Sequence, residues 1–284
     1  MRIHAIRTGL VKIKRAQVEG HSHNRVARQL GIFTDANWTE WLPTYAWAIE
    51  TDDGVIVVDT GQASYLLEEV RRTIHPFLRY AATFQIEPEQ EVGQQLKGLG
   101  IGPHDVRQVV LTHMHMDHDA GLMHFPHSTI LAASGEIARA RGFAGMVRGY
   151  LPQRWPAWFD PQGLVLDDGP FGPFVASKRL TRDGRIVAVA TPGHTPSHIS
   201  VIVDEGDVSL FLAGDTSYSE ELMLAGKADG VSPDPVVAEK TLAAIRQFAA
   251  ERPTVYLPAH DPDGATRFAR RQVVLAPAEF KGAV

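Results

Sequence analysis

The sequence predicts an α/β fold, and two observations carry that expectation. Short Val/Ile-rich runs alternate along the chain with stretches of helical periodicity, punctuated by Gly and Pro. Several of the apolar runs end on a single His or Asp, the pattern of a site built on loops over a rigid sheet. With 284 residues, 44% of them hydrophobic and 21% charged, the chain can bury a sizeable core. No linker or low-complexity segment interrupts it, so residues 1–284 read as one domain.

Residues 1–18 alternate loosely and predict an opening strand. TYAWAIETDDGVIVVDTG (44–61) reads as two strands joined at Asp52-Asp53-Gly54, the second rich in Val and Ile and ending at Asp59. Residues 62–100 carry helical periodicity in two pieces, SYLLEEVRRTIHPFL and PEQEVGQQLKGLG, the latter stopped by Gly98 and Gly100. VRQVVLT and STILAAS are short strands, and a helix starts at Ser134. The aromatic, Pro-rich stretch RGFAGMVRGYLPQRWPAWFDPQG reads as a surface excursion. IVAVATPGH, SHISVIVDEG, VSLFLAGD and TVYLPAH are strands, with a helix near 235–250 between the last two. GLGIGP (98–103) precedes a strand rather than a helix, so it is a turn and not a phosphate cradle.

A net charge of -5 and a pI near 6.2 argue against nucleic-acid and anionic-membrane partners, which favour a basic surface. The basic runs Lys12/Lys14/Arg15 and Arg267/Arg270/Arg271 are short and are expected on solvated faces. The absence of cysteine removes disulfides, thiolate nucleophiles and Cys-rich structural zinc, and fits a reducing compartment. The N-terminus is too charged for a signal peptide, and no window approaches the ~18 apolar residues of a membrane span. A cytoplasmic location is the expectation.

LTHMHMDHDAG places His113, His115, Asp117 and His118 within six residues at the end of a predicted strand. A strand-end loop can turn alternate side chains of H-x-H toward one point, and the following D-H can reach a second point, which favours two metals over one. His194 in TPGHTPSH, Asp215 in LAGDTSY and His260 in LPAHD could complete the set. Imidazole suits zinc, iron or cobalt, a carboxylate can bridge two cations, and donors without thiolate fit a catalytic pair better than a closed structural site. His21/His23 has no preceding strand and no partners of its own. His4, His75, His104, His124 and His127 read as structural or solvent-facing, as does His198, which could instead support the site from four residues beyond His194.

H-x-H-x-D-H followed by isolated His, Asp and His at strand ends resembles the metallo-β-lactamase superfamily, from the VIVVDTG strand to LPAHD. The resemblance implies an αββα sandwich of two mixed β-sheets flanked by helices, with the site at one edge. It implies that His113, His115 and His194 hold one divalent metal, that Asp117, His118 and His260 hold another, and that Asp215 bridges them. Zinc is the first expectation, with iron, cobalt and manganese compatible. Asp59 falls where the superfamily has an Asp near the site, placed to orient a ligand histidine through its free ring nitrogen. A homodimer is implied by the resemblance alone.

GDTSYSEE further resembles the N-acyl homoserine lactonases, in which a Tyr lies three residues after the bridging Asp. That resemblance implies lactone ring opening by attack of a metal-bridging hydroxide, with Tyr218 hydrogen-bonding the carbonyl oxygen and Asp117 carrying the proton. Phe143, Trp155, Trp158 and Phe159 of the excursion, with Phe77 and Phe84, could line an apolar acyl groove. A glyoxalase II-like thioesterase or a phosphotriesterase-like hydrolase would share the seven ligands, although the former normally carries a basic helical segment after the last His, where only 24 residues follow here. A redox module of the same fold, as in the di-iron flavoproteins, would place a carboxylate where this chain has His115.

Overall fold

Backbone pairing sorts the strands into two mixed sheets. The computed structural model describes residues 1–22, 24–66, 68 and 80–275. Its strands are β1 (Arg2–Ile13), β2 (Leu42–Thr51), β3 (Gly54–Val58), β4 (Ala82–Gln85), β5 (Val106–Leu111), β6 (Thr129–Ala133), β7 (Gln162–Leu164), β8 (Ser177–Arg179), β9 (Ile186–Ala190), β10 (Ile199–Asp204), β11 (Ser209–Gly214) and β12 (Thr254–Pro258). The helices among the described residues are α1 (Arg15–Val18), α2 (Arg25–Thr34), α3 (Val92–Gly98), α4 (Met116–Asp119), α5 (Ser134–Ala140), α6 (Gly142–Val147), α7 (Glu220–Ala225), α8 (Pro235–Glu251) and α9 (Gly264–Arg270). None is long and apolar enough to cross a membrane.

By its contacts the chain falls into two units, one of Met1–Arg15 with Ile32–Leu164, the other of Ala16–Gly31 with the residues from Val165 onward. The first unit holds the sheet β4-β1-β2-β3-β5-β6-β7. Its N-terminal strands pair antiparallel, and β2 turns into β3 where Thr51 faces Gly54. Gly54 has φ 113°, which is why the Asp-Asp-Gly turn ends on glycine. From β3 onward the pairing is parallel. β3 and the end of β5 read as unbroken Val/Ile/Leu runs because covered parallel strands bury both faces: Val57, Val109, Val110 and Leu111 have no exposure. Their core includes Leu96 of α3 and Ile137 of α5.

The second unit holds the sheet β12-β11-β10-β9-β8, antiparallel except for β11 beside β12. Leu242, Ile245 and Phe248 of α8 join its core, with the Phe248 ring tilted against those of Phe174 and Phe211 at separations of 5.7 and 6.0 Å. Asp234 caps α8 by accepting from the amides of Val236 and Val237.

The predicted strands form, the opening one ending at Ile13 where α1 takes over, as do the helices at 134 and 235; β4, β7 and β8 and the helices α1, α2, α4, α6, α7 and α9 are additions. β4, β7 and β8 run to three or four residues, too short for periodicity to register. Of the first helical run at 64–78 only residues 64–66 and 68 are described, so its reading, with His75 and Phe77, lies outside the described residues. The excursion is not a surface feature throughout. Phe143 and Trp158 are exposed, but Tyr150 is buried and donates to Glu136 at 2.8 Å, while Trp155 and Phe159 pack against the first core. A phenol or indole can enter a core once its polar atom finds a partner, and Glu136 supplies one here.

Phe248→Ala should cost about 3–5 kcal/mol of unfolding free energy, the range for emptying an aromatic core position. Urea denaturation measures it, and a loss under ~1 kcal/mol would contradict the packing described.

Candidate metal centre

In the first unit every donor hangs from the C-terminal ends of the adjacent parallel strands β3 and β5. Asp59 follows β3 with φ 59°, a left-handed conformation uncommon outside glycine. That turn aims its carboxylate at the end of β5. One oxygen accepts the Thr112 amide at 2.7 Å, and the other accepts the Thr112 hydroxyl and His118 Nδ1, both at 2.9 Å. The polarity of the cluster follows. A carboxylate only accepts, so the Thr112 hydroxyl proton goes to Asp59, and the Thr112 oxygen must accept from His113 Nδ1, 3.1 Å away. Both His113 and His118 therefore carry the proton on Nδ1 and present a lone pair on Nε2, the form in which imidazole binds a metal.

His115 stands at the N-cap position of the one-turn α4, which carries Asp117 and His118. The ring of His113 lies 4.6 Å from that of His115 and 4.1 Å from that of His118, and Asp117 Oδ1 is 4.0 Å from His118 Nε2. His113 and His118 are fully buried, while His115 and Asp117 are half-buried. Behind them Asp119, buried, accepts from Trp155 Nε1 at 2.8 Å. Burial pushes the Asp119 carboxyl up to about 8, against the opposing pull of the Trp155 hydrogen bond.

In the second unit His194 lies in the loop after β9. Gly193 is required there, because a Cβ would sit 2.9 Å from the Ala238 backbone. His194 Nδ1 donates to Asp229 at 2.8 Å, and the other Asp229 oxygen accepts the amides of Val231 and Ser232. Burial works to raise the Asp229 carboxyl, but the imidazole and the hydrogen bonds at Ser232 outweigh it and leave the group below its ordinary value. Asp215 ends β11, and its amide donates to His198 Nε2 at 3.1 Å. His198 Nδ1 then donates to Thr191, Thr191 to Ser200, and Ser200 to the Ala213 carbonyl, a chain with one direction only.

Asp215 Oδ2 lies 3.4 Å from both His194 Nε2 and His260 Nε2. That is longer than a charge-assisted hydrogen bond. It matches instead the roughly 3.4 Å between two donors that share a tetrahedral metal at ~2.0–2.1 Å. With an all-N/O donor set and imidazoles fixed in the coordinating tautomer, the residues fit a divalent metal. The Tyr218 ring stacks on His260 at 5.5 Å and 19°.

Thus each unit gathers its own share of the residues singled out in sequence: His113, His115, Asp117 and His118 in one, His194, Asp215, Tyr218 and His260 in the other. Asp59 bonds His118 as the resemblance implies, and His198, read as structural or solvent-facing with a supporting role as the alternative, is buried and accepts the Asp215 amide. His4 and His124 pair with Glu50 and Glu91, and His104 stacks on His127. Asp229 escapes sequence reading because nothing in GKADGVSP distinguishes it from a turn aspartate. Arg267 corrects the expectation of a solvated basic run: it is 6% exposed and paired with Asp261, because α9 turns that one arginine of the three inward.

A model of the metallo-beta-lactamase superfamily matches residues 39–260. A probable metallo-hydrolase of Mycobacterium tuberculosis is 32% identical over 226 residues, covering 76% of this chain and 70% of that protein. The N-acyl homoserine lactonase AttM of Rhizobium radiobacter is 28% identical over 189 residues, covering 64% and 68%. A solved N-acyl homoserine lactone hydrolase, with the product N-hexanoyl-L-homoserine bound at its catalytic metal center, superposes with a TM-score of 0.74 over 93% of this chain and 94% of that one. It is 19% identical, and the likeness is one of fold.

Nitrogen-15 NMR of the ring nitrogens should find His113, His118, His194 and His198 all protonated on Nδ1. An Nε2–H tautomer at His118 or His194 would contradict the carboxylate contacts.

Proposed function

The chain belongs to the metallo-beta-lactamase superfamily and is a metallo-hydrolase related to the N-acyl homoserine lactonases, and on that premise we propose that it opens the lactone ring of N-acyl homoserine lactones. We propose as metal ligands His113, His115 and His194 for one divalent ion and Asp117, His118 and His260 for a second, with Asp215 shared. Zinc suits this donor set, and iron, cobalt and manganese are compatible with it. Two such ions supply Lewis acidity, which polarises a carbonyl and acidifies water.

The observation that carries the choice of lactone is Tyr218. It follows Asp215 by three residues, as in the lactonases that GDTSYSEE resembles, and its ring is held flat against His260. A phenol so held donates a hydrogen bond to the lactone carbonyl oxygen, and the bond strengthens as negative charge gathers there. Asp117 accepts the proton of the attacking water. The ring C–O bond breaks, the departing alkoxide takes that proton from Asp117, and the product carboxylic acid ionises. One proton is released per ring opened.

Proton release by metal-quantified protein should therefore accompany turnover of acyl homoserine lactones, with S-lactoylglutathione and a phosphotriester turned over far more slowly. No turnover of any lactone beside brisk turnover of either rival would sink the reading. Re-acidified product should close back to lactone; failure to recover it would indicate amide cleavage instead. Tyr218→Phe should cost on the order of 1–3 kcal/mol of transition-state stabilisation at unchanged metal content. An unaltered rate would reduce Tyr218 to a packing residue.

A further inference from the structure

Tyr218 and His260 are 42 positions apart in sequence, yet one hydrogen bond two residues from the first and one residue from the second closes the path between them. The Glu220 amide donates to Asp261 Oδ2 at 3.0 Å. Asp261 directly follows His260, and Glu220 opens α7 immediately beyond Tyr218 and the capping Ser219. The same Asp261 oxygen receives Arg267 Nη2, and the other receives the Asp263 amide at 2.9 Å. Arg267 in turn donates through Nε to the Tyr256 carbonyl at 3.2 Å. The Tyr256 hydroxyl meets the hydroxyls of Thr216 and Ser217 at 2.7 and 2.8 Å, and Ser217 donates to the Ser219 carbonyl. The loop from Asp215 to Ser219 is thereby pinned in its middle and at its exit, both times to the β12–α9 segment that carries His260. Asp261, Arg267 and Tyr256 are all buried, so these bonds are not traded for water.

We infer that Asp261 and Arg267 are positioning residues that set the Tyr218 phenol against His260. The inference rests on the lactonase reading only for what the phenol does; the placement of the ring stands apart from it. Salt-bridging α9 to β12 for stability alone would need only the Arg267 contacts. The Glu220 amide bond adds nothing to that, and it joins the Tyr256 hydroxyl bonds and the 3.6 Å approach of Arg267 Nε to Glu220 Oε2 in tying the segment to the tyrosine loop. A misplacement of about 1 Å at a group acting on the transition state can cost up to ~100-fold in rate, so a buried ion pair is a fitting anchor for it.

Two measurements on the full-length, zinc-loaded protein test the inference. The stacked phenol displaces the His260 ring-proton resonances, and Tyr218→Ala gives their unstacked position. Asp261→Ala should move them most of the way to that position, and Asp261→Asn, which keeps an acceptor for the Glu220 amide, much less. Should Asp261→Ala not fold, Arg267→Lys, which keeps the charge and loses the fork, should give an intermediate shift. Resonances unmoved in a folded Asp261→Ala or Arg267→Lys protein would overturn the inference. In kinetics, Asp261→Ala should lower lactone kcat by about tenfold when Tyr218 is present and by under about twofold in a Tyr218→Phe background. Equal losses in both backgrounds would mean that Asp261 does not act through the phenol. A failure of the lactonase reading would show separately, as absence of lactone turnover by the unmodified protein, and would leave the resonance measurement decisive.

Discussion

Asp59 holds both the sheet and the candidate centre of the first unit. Its amide extends the β3–β5 ladder by donating to the Val110 carbonyl at 2.9 Å, while its side chain reaches across to Thr112 and His118. To do both it adopts a positive φ, a backbone cost of order 1 kcal/mol for a residue with a Cβ. Glycine would relieve the strain but carries no carboxylate. The close neighbourhood of two parallel strand ends is what makes the arrangement available, since a strand at any other position in the sheet would leave Asp59 without Thr112. Gly61 has its own constraint two residues on: with φ 67°, a Cβ there would collide with Thr8. The DTG sequence is thus one acid fixed by the hydrogen bonds it accepts and one glycine fixed by a steric limit.

The second unit meets the same problem with other residues. An imidazole in water exchanges its proton between two nitrogens, and a donor that must present a lone pair in one direction needs that exchange stopped. Asp229 stops it for His194. At Asp215 a histidine serves the backbone instead: the chain through His198, Thr191 and Ser200 ends on the Ala213 carbonyl, so every proton in it has one place to be. That network gives both the Thr191 and the Ser200 hydroxyl a partner, which is the condition under which polar groups in a core add order rather than cost.

The fold was legible where physics writes it into neighbouring residues. Buried parallel strands need continuous Val and Ile, turns need Gly or Asp-Gly, and β3 and β5 are legible on those grounds, while β11 and β12 show as short runs of Leu, Phe, Val and Tyr bounded by Gly or Pro. The seven candidate donors were legible because H-x-H-x-D-H is local and the remaining three each end a recognisable strand. Tyr218 was reached only through resemblance, since no spacing rule assigns a role to a tyrosine. What stayed hidden depends on distance in space. Asp229 matters because a loop returns beside His194, and Arg267 is inward because α9 is short and packs on β12, neither of which a window of sequence contains. The aromatic excursion was misjudged for a related reason: its composition is that of a loop, and only Glu136, from another element, makes Tyr150 a core residue.

Two of the elements that carry donors differ sharply in how they open. β11 is buried along its whole length, so Asp215 at its end is released only when the sheet itself gives way. Asp117 and His118 ride on a helix of a single turn, too short to hold itself, and His118 is released only when its bonds to Asp59 and Thr60 part. Each unit therefore holds its own donors in its own way, the second by a buried strand and the first by a few hydrogen bonds across one turn.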